Sequence, residues 1–234
     1  MDPKLFSNRV YLVTGGQRGI GLAVVRQLLE YGAYVYVQDL PPTASAELVA
    51  LASEQLQYSQ TDVRDRAGCR ALIAAIVEKH KRLDRVVNNA GICPLEGELP
   101  SDEIYDEVID INLNGVWNVG TAALAQMQKQ GFGSLSLVPA YSATKHAILG
   151  LTRTWALDFA QYGVRVNCIA PGGNPALSFR CLLLTGLTGP TDTDMSIPLK
   201  RIGRPAEVAS PINFLLSDLA SFITGQILCV SGGQ

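Results

Sequence analysis

The chain has 234 residues, 47% of them hydrophobic and 17% charged, with 22 glycines and a net charge of −2. That size and balance fit one folded domain with a sizeable core and exclude a disordered chain. Its weakly acidic charge and scattered lysines and arginines leave no electrostatic footprint for nucleic acid.

Met1-Asp2-Pro3-Lys4 has no apolar signal core, and the first strand is expected at Val10–Val13. The glycine-rich turn Thr14-Gly15-Gly16-Gln17-Arg18-Gly19-Ile20-Gly21 leads into a helix from Ile20 to Tyr31, with Leu22, Val25, Leu28 and Leu29 at helical spacing. Gly32 ends that helix, Tyr34–Val37 is the second strand, and Asp39 follows it. Next come a capped helix near Ser45–Glu54, a strand around Leu56–Ser59, and a helix from Asp65 to His80. The inner face of that helix is read as Ala67, Leu72, Ile73 and Ile76. Arg85–Val87 is a strand running into Asn88-Asn89-Ala90-Gly91. Ser101–Gln130 reads as one or two long helices, Gly133–Val138 as a strand, and Tyr141–Gln161 as a helix. Val164–Ala170 is a strand stopped by Pro171-Gly172, Ala206–Leu216 a helix, and Gln226–Val230 the last strand.

Alternating strands and helices, with buried β-rich runs, imply an α/β fold: a doubly wound parallel sheet with helices on both faces, of the Rossmann kind. Neither a repeat nor a linker divides residues 1–234, so a single domain is expected. The cysteines (Cys69, Cys93, Cys168, Cys181, Cys229) are odd in number and lack metal or redox spacing; most are read as small buried groups in a reducing compartment. No metal is expected. No stretch approaches a membrane span, and the cytosol is the expected location.

Two constellations carry chemistry. A dinucleotide pyrophosphate needs backbone N–H groups at a helix N-terminus with no Cβ in the way, and Gly15, Gly19 and Gly21 provide such a turn. The adenosine ribose needs an acceptor at the end of the second strand, where Asp39 stands. A glycine turn alone can be tight packing, and a lone aspartate is usually a solvated carboxylate; at this separation the two reinforce each other. The second constellation is Tyr141 and Lys145, one helical turn apart on one face. A tyrosine alone is more often a packing residue and a lysine alone is usually solvated. His146 points off that face and is read as structural, and His80, among Lys79, Lys81 and Arg82, as a surface residue.

With these residues in hand, the chain resembles the short-chain dehydrogenase/reductase family, in its ordinary-length branch, over nearly its whole length. The Thr-Gly-x-x-x-Gly-x-Gly turn is Thr14 to Gly21, the Asn-Asn-Ala-Gly motif Asn88 to Gly91, and the Tyr-x-x-x-Lys pair Tyr141 and Lys145. The Pro-Gly after the sixth strand is Pro171-Gly172, and the closing Thr-Gly and Gly-Gly are Thr224-Gly225 and Gly232-Gly233. The resemblance implies an oxidoreductase that interconverts a secondary alcohol and a ketone by hydride transfer to or from a nicotinamide. It implies that Tyr141 is the general acid or base, that Lys145 binds the nicotinamide ribose and lowers the tyrosine pKa, and that Asn112 holds a water near the lysine. The implied cofactor contacts are Gly15, Gln17, Arg18, Gly19, Ile20, Gly21, Asp39, Asp62, Val63, Asn89, Ala90, Gly91, Tyr141, Lys145, Pro171 and Gly172. Asp39 favours NAD, because a carboxylate repels a 2′-phosphate, and Arg18 in the turn partly offsets this toward NADP. Partners implied are a small carbonyl or alcohol substrate and a second copy of the chain, in a homodimer or homotetramer built through the two long helices; no nucleic acid or membrane partner is expected.

The resemblance breaks in two places. The family carries a substrate-positioning serine on a loop before the tyrosine, but here Gly133 to Ala140 leads straight to Tyr141, and roughly a dozen residues are absent by the family's pattern. Ser134 and Ser136 fall within the strand pattern and are not given the serine's role. The second break is the substrate lid, expected within 173–204, where an apolar run from Leu177 to Leu187 replaces the usual content. Three readings of it stay open: an apolar lid, a partner-facing helix, or translated sequence foreign to the fold. The missing serine loop raises an alternative, a cofactor-binding relative with impaired or no redox activity, and also the possibility that the chain lacks part of an active enzyme.

Overall fold

The computed structural model describes residues 4–51, 53–94, 101–137, 142–172 and 197–233, without the side chains of Ser142, Ala143 and Lys145. Seven parallel strands stand in the order β3-β2-β1-β4-β5-β6-β7, with β1 at Val10–Thr14, β2 at Tyr34–Asp39, β3 at Leu56–Gln60, β4 at Arg85–Asn88, β5 at Gly133–Leu137, β6 at Val164–Pro171 and β7 at Ile227–Val230. The helices are α1 (Gly19–Glu30), α2 (Ala46–Val49), α3 (Arg66–His80), α4 (Asp102–Ile109), α5 (Gly115–Gln130), α6 (Ser142–Ala160) and α7 (Pro205–Leu216). The doubly wound parallel sheet is therefore present.

Alternation along the strands explains the two cores. Leu12, Val86, Leu135 and Val166 pack with the residues of α3, α5 and α6 on one face. Tyr11, Val13, Val35 and Val37 pack with α1 and α7 on the other. Side chains two residues apart share a face, so a run apolar at every position fills both layers. Where α6 crosses α5, Gly120 makes room for Trp155: a Cβ there would lie 2.7 Å from the indole ring.

Two arginines lie under the C-terminal end of α7. Arg85 Nε donates to Leu216 O at 2.7 Å, and Arg165 donates to Ser217 O and Ile223 O, each at 3.1 Å. The bonds to Leu216 O and Ser217 O meet carbonyls at the helix end with a charge of the favourable sign, and the bond to Ile223 O ties down the segment that follows. Burial pulls the Arg165 guanidinium down to about 10.

Several local expectations need correction. The helix expected near Ser45–Glu54 is the single turn α2, capped by Ser45 Oγ on Leu48 N–H at 3.2 Å. On α3 the buried stripe is Cys69, Ile73 and Ile76, while Ala67 faces solvent. His80 is half-buried and hydrogen-bonded to the Tyr36 hydroxyl at 2.9 Å. Among the described cysteines only Cys69 and Cys168 are buried; Cys93 is intermediate and Cys229 exposed.

Candidate active site

In a parallel sheet the crevice lies at the carboxyl edge, where the strand order reverses. Here the reversal falls between β1 and β4, and the chain leaves those strands through the two motifs singled out above. Gly15 takes the left-handed conformation (φ +65°), and its N–H donates to Gln38 O at 2.8 Å. A Cβ on Gly21 would lie 2.2 Å from Gly15 O, so the first turn of α1 can sit this close to the strand only with glycine at that position. Arg18 is the N-cap residue of α1, exposed, with no side-chain cap on the helix and no acidic residue in the first turn. The leading N–H groups of α1, from Gly19, Ile20 and Gly21, thus stand without a side-chain acceptor among the described residues, which suits a phosphate.

The β4 end is tied to this turn. Thr14 Oγ1 accepts from Asn89 N–H at 3.0 Å and Ala90 N–H at 2.9 Å, and Asn89 Nδ2 donates to Thr14 O and Gly15 O at 3.0 and 3.1 Å. Asn88 Nδ2 donates to Val116 O at 2.8 Å, anchoring the same strand end to α5. Gly91 follows at the surface. Between α4 and α5 the helix widens into a π segment over Asp110–Asn114 that packs on α6, and the buried Asn112 lies in it. Its amide spans the Ile92 backbone, Oδ1 accepting from Ile92 N–H at 2.8 Å and Nδ2 donating to Ile92 O at 2.9 Å. One extra residue in a helical turn redirects the side chains after it. No periodicity in the sequence signals that.

At the end of β2, Asp39 accepts from two backbone donors: Gln17 N–H on Oδ2 at 3.2 Å and Leu40 N–H on Oδ1 at 2.9 Å. Each oxygen keeps a second acceptor direction for a ribose hydroxyl. Gln17 is buried, with its side chain turned to Ser45 and Tyr58. Asp62, just beyond β3, is gripped by Arg64 through Nε at 2.9 Å and Nη2 at 2.6 Å, which holds its carboxyl below the usual range. Val63 is buried against Gly115 and accepts from Asn118 Nδ2 at 3.0 Å. Pro171 closes β6, and Gly172 N–H donates to Val230 O at 3.0 Å. The described residues among those proposed for cofactor binding, from Gly15 to Gly172 and without Tyr141 and the Lys145 side chain, thus lie along one sheet edge.

Tyr141 lies outside the described residues, as do the Lys145 side chain, Cys181 and positions 173–196 of the expected lid. Lys145 belongs to the first turn of α6, which packs on the π segment carrying Asn112. Four residues, 138–141, separate the end of β5 from the start of α6. Ser134 and Ser136 are buried in β5, and neither Oγ has a hydrogen-bond partner among the described residues. Among the described residues no cluster of His, Cys, Asp or Glu could hold a metal, and no helix is long and apolar enough to cross a membrane. Thr14, Ser45 and Tyr58 join the site without having been picked out as site residues. Only Thr14 stood within a recognised motif; the other two meet the glycine turn through the fold alone.

A family profile described as enoyl-(acyl carrier protein) reductase matches residues 15–234. The chain is similar to dehydrogenase/reductase SDR family member 4 of Bos taurus, 34% identical, with 97% of this chain and 87% of that protein aligned. That alignment runs over 249 positions, more than the 234 residues of this chain, so the relative holds residues with no counterpart here. Among solved structures, levodione reductase superposes with a TM-score of 0.89 at 31% identity, covering 98% of each chain. ElxO with NADP bound superposes with a TM-score of 0.87 at 29% identity, covering 96% of this chain and 98% of that one.

Proposed function

Since this chain belongs to the short-chain dehydrogenase/reductase family and is an NAD(P)-dependent oxidoreductase, we propose that it interconverts a secondary alcohol and a ketone, with Tyr141 as general acid/base. The observation that carries this reading is the shared carboxyl edge of β1, β2 and β4: uncapped N–H groups of α1, an acceptor carboxylate at Asp39, and the Asn89–Thr14 lock between them. These groups fit a dinucleotide, with phosphate on the α1 N-terminus and the ribose hydroxyls on Asp39. A bound nicotinamide supplies or takes the hydride. Tyr141 gives a proton to the ketone oxygen in reduction, or takes it from the alcohol in oxidation. Lys145 steadies the phenolate by its charge, and Asn112, fixed by Ile92, holds the α6 side of the site in register. Asp39 selects NAD over NADP, with Arg18 moderating the preference.

Oligomerisation through α5 and α6 is part of the same reading, supported by the exposed Leu157 on α6 and by Trp117 on α5, whose ring lies 5.7 Å from that of Trp155. The cytosol remains the proposed location.

A second reading has a specific observation behind it. Only four residues join β5 to α6, and the serines that precede them, Ser134 and Ser136, are buried in the strand. A site without the positioning serine loses about 10²–10³ in rate, the cost of one preorganised donor at a reacting oxygen. Turnover is therefore slow although cofactor binding is intact.

NADH consumption over a panel of ketones, with Tyr141→Phe beside the wild type, tests both readings. We expect slow wild-type turnover that falls about 10²–10⁴-fold in the variant, with NADH affinity unchanged. Equal turnover in the two proteins contradicts the acid/base role, and NADH binding without any turnover leaves the binding relative.

A further inference from the structure

We propose that Gln17, Tyr58 and Ser45 form a clamp that fastens the loop of residues 40–45 to the glycine turn, and that this clamp sets the preference between NAD and NADP. The inference rests on the dinucleotide reading above and adds positioning residues to it.

Every polar atom of the Gln17 side chain is used inside the protein. Its Oε1 accepts from Ser45 N–H, and its Nε2 donates to the Tyr58 hydroxyl at 3.2 Å. The Tyr58 hydroxyl in turn donates to Pro41 O. Ser45 Oγ donates to Gln17 O at 3.1 Å and accepts from Leu48 N–H at 3.2 Å, so it links the turn to the start of α2. Burial, together with the Asp39 charge, pushes the Tyr58 phenol up, so it stays a proton donor at neutral pH.

The clamp grips the loop at both ends, at Pro41 and at Ser45, and the Pro41-Pro42 pair stiffens what lies between. It also aims Asp39. The carboxylate takes one N–H from the clamped turn (Gln17) and one from the clamped loop (Leu40), so its orientation follows the spacing of those two segments. A free 2′-hydroxyl needs only an aimed acceptor. A 2′-phosphate beside Asp39 needs the loop to withdraw and exposes its charge to Arg18, the exposed basic residue of the turn. A fastened loop therefore favours the dinucleotide without the phosphate, and a loosened one gives up that advantage.

Fluorescence titration with NADH and with NADPH of the wild type, Tyr58→Phe and Gln17→Met tests this. Tyr58→Phe keeps the ring, so folding is preserved, and it removes two hydrogen bonds. We expect the Kd for NADH to rise about fivefold in each variant while that for NADPH changes less than about twofold. Amide hydrogen exchange without nucleotide is expected to quicken across residues 40–45 in both. Wild-type binding of NADH with an unchanged NADH-to-NADPH ratio in both variants overturns the clamp alone. A wild type that binds neither dinucleotide overturns the clamp and the dinucleotide reading together.

Discussion

Gly21 shows how little freedom the glycine turn has. A Cβ there would meet Gly15 O at 2.2 Å and Asn89 Nδ2 at 2.7 Å, and the first of these is backbone that cannot turn aside. Gly21→Ala is therefore expected to cost about 1–3 kcal/mol, the usual price of overpacking, and to weaken dinucleotide binding as α1 is pushed off the strand. Urea unfolding and NADH titration check this, and a variant with wild-type stability and affinity contradicts the packing argument. The need for glycine here was legible in the sequence because the requirement is local: a strand, a tight turn and a helix start follow one another within eight residues, Thr14 to Gly21. The inward turn of Gln17 was not legible. Its partners, Ser45 and Tyr58, lie 28 and 41 positions away, and only the β1–β2–β3 pairing brings them to it.

At the scale of elements, α7 is the clearest electrostatic case. Pro205 opens the helix, and Glu207 two residues later accepts from Arg204 N–H at 2.8 Å and from both Arg201 Nη atoms at 2.7 and 2.6 Å. These donors bring its carboxyl from the ordinary 4.5 down to about 2. A carboxyl whose pKa is lowered by folding stabilises the native state above its unfolded value and loses that effect as pH falls. The thermal midpoints of the wild type and Glu207→Gln are thus expected to differ by a constant amount above pH 5 and to converge between about pH 4.5 and 2. A gap that stays undiminished down to pH 2 contradicts the assignment. The long helices and strands were readable from their periodicity, but two elements were not. The stripe on α3 runs Cys69, Ile73, Ile76, an i, i+4, i+7 series, and counting only aliphatic residues put Ala67 in place of the cysteine. The π segment at Asp110–Asn114 keeps helical composition throughout, so its extra residue shows only in the backbone hydrogen bonds.

Across the whole molecule, the order β3-β2-β1-β4-β5-β6-β7 gathers residues that are far apart in sequence at one sheet edge, from Gly15 to Gly172. That topology follows from alternating strands and helices joined by right-handed crossovers, which is why the architecture could be read in advance. The buried Arg85 and the half-buried Arg165 could not, since arginine is ordinarily a surface residue and their role depends on where the end of α7 lands. The departures from the family pattern, the four-residue β5–α6 connection and the apolar run at 177–187, are where fold no longer implies rate or substrate. The most direct test is transfer of the label itself. Incubation of the protein with NADH deuterated at the redox carbon of the nicotinamide and a panel of ketones is expected to give alcohol carrying deuterium on the carbinol carbon, formed about 10²–10⁴-fold more slowly with Tyr141→Phe. Wild-type protein that binds the labelled cofactor and yields no deuterated alcohol from any ketone contradicts the account.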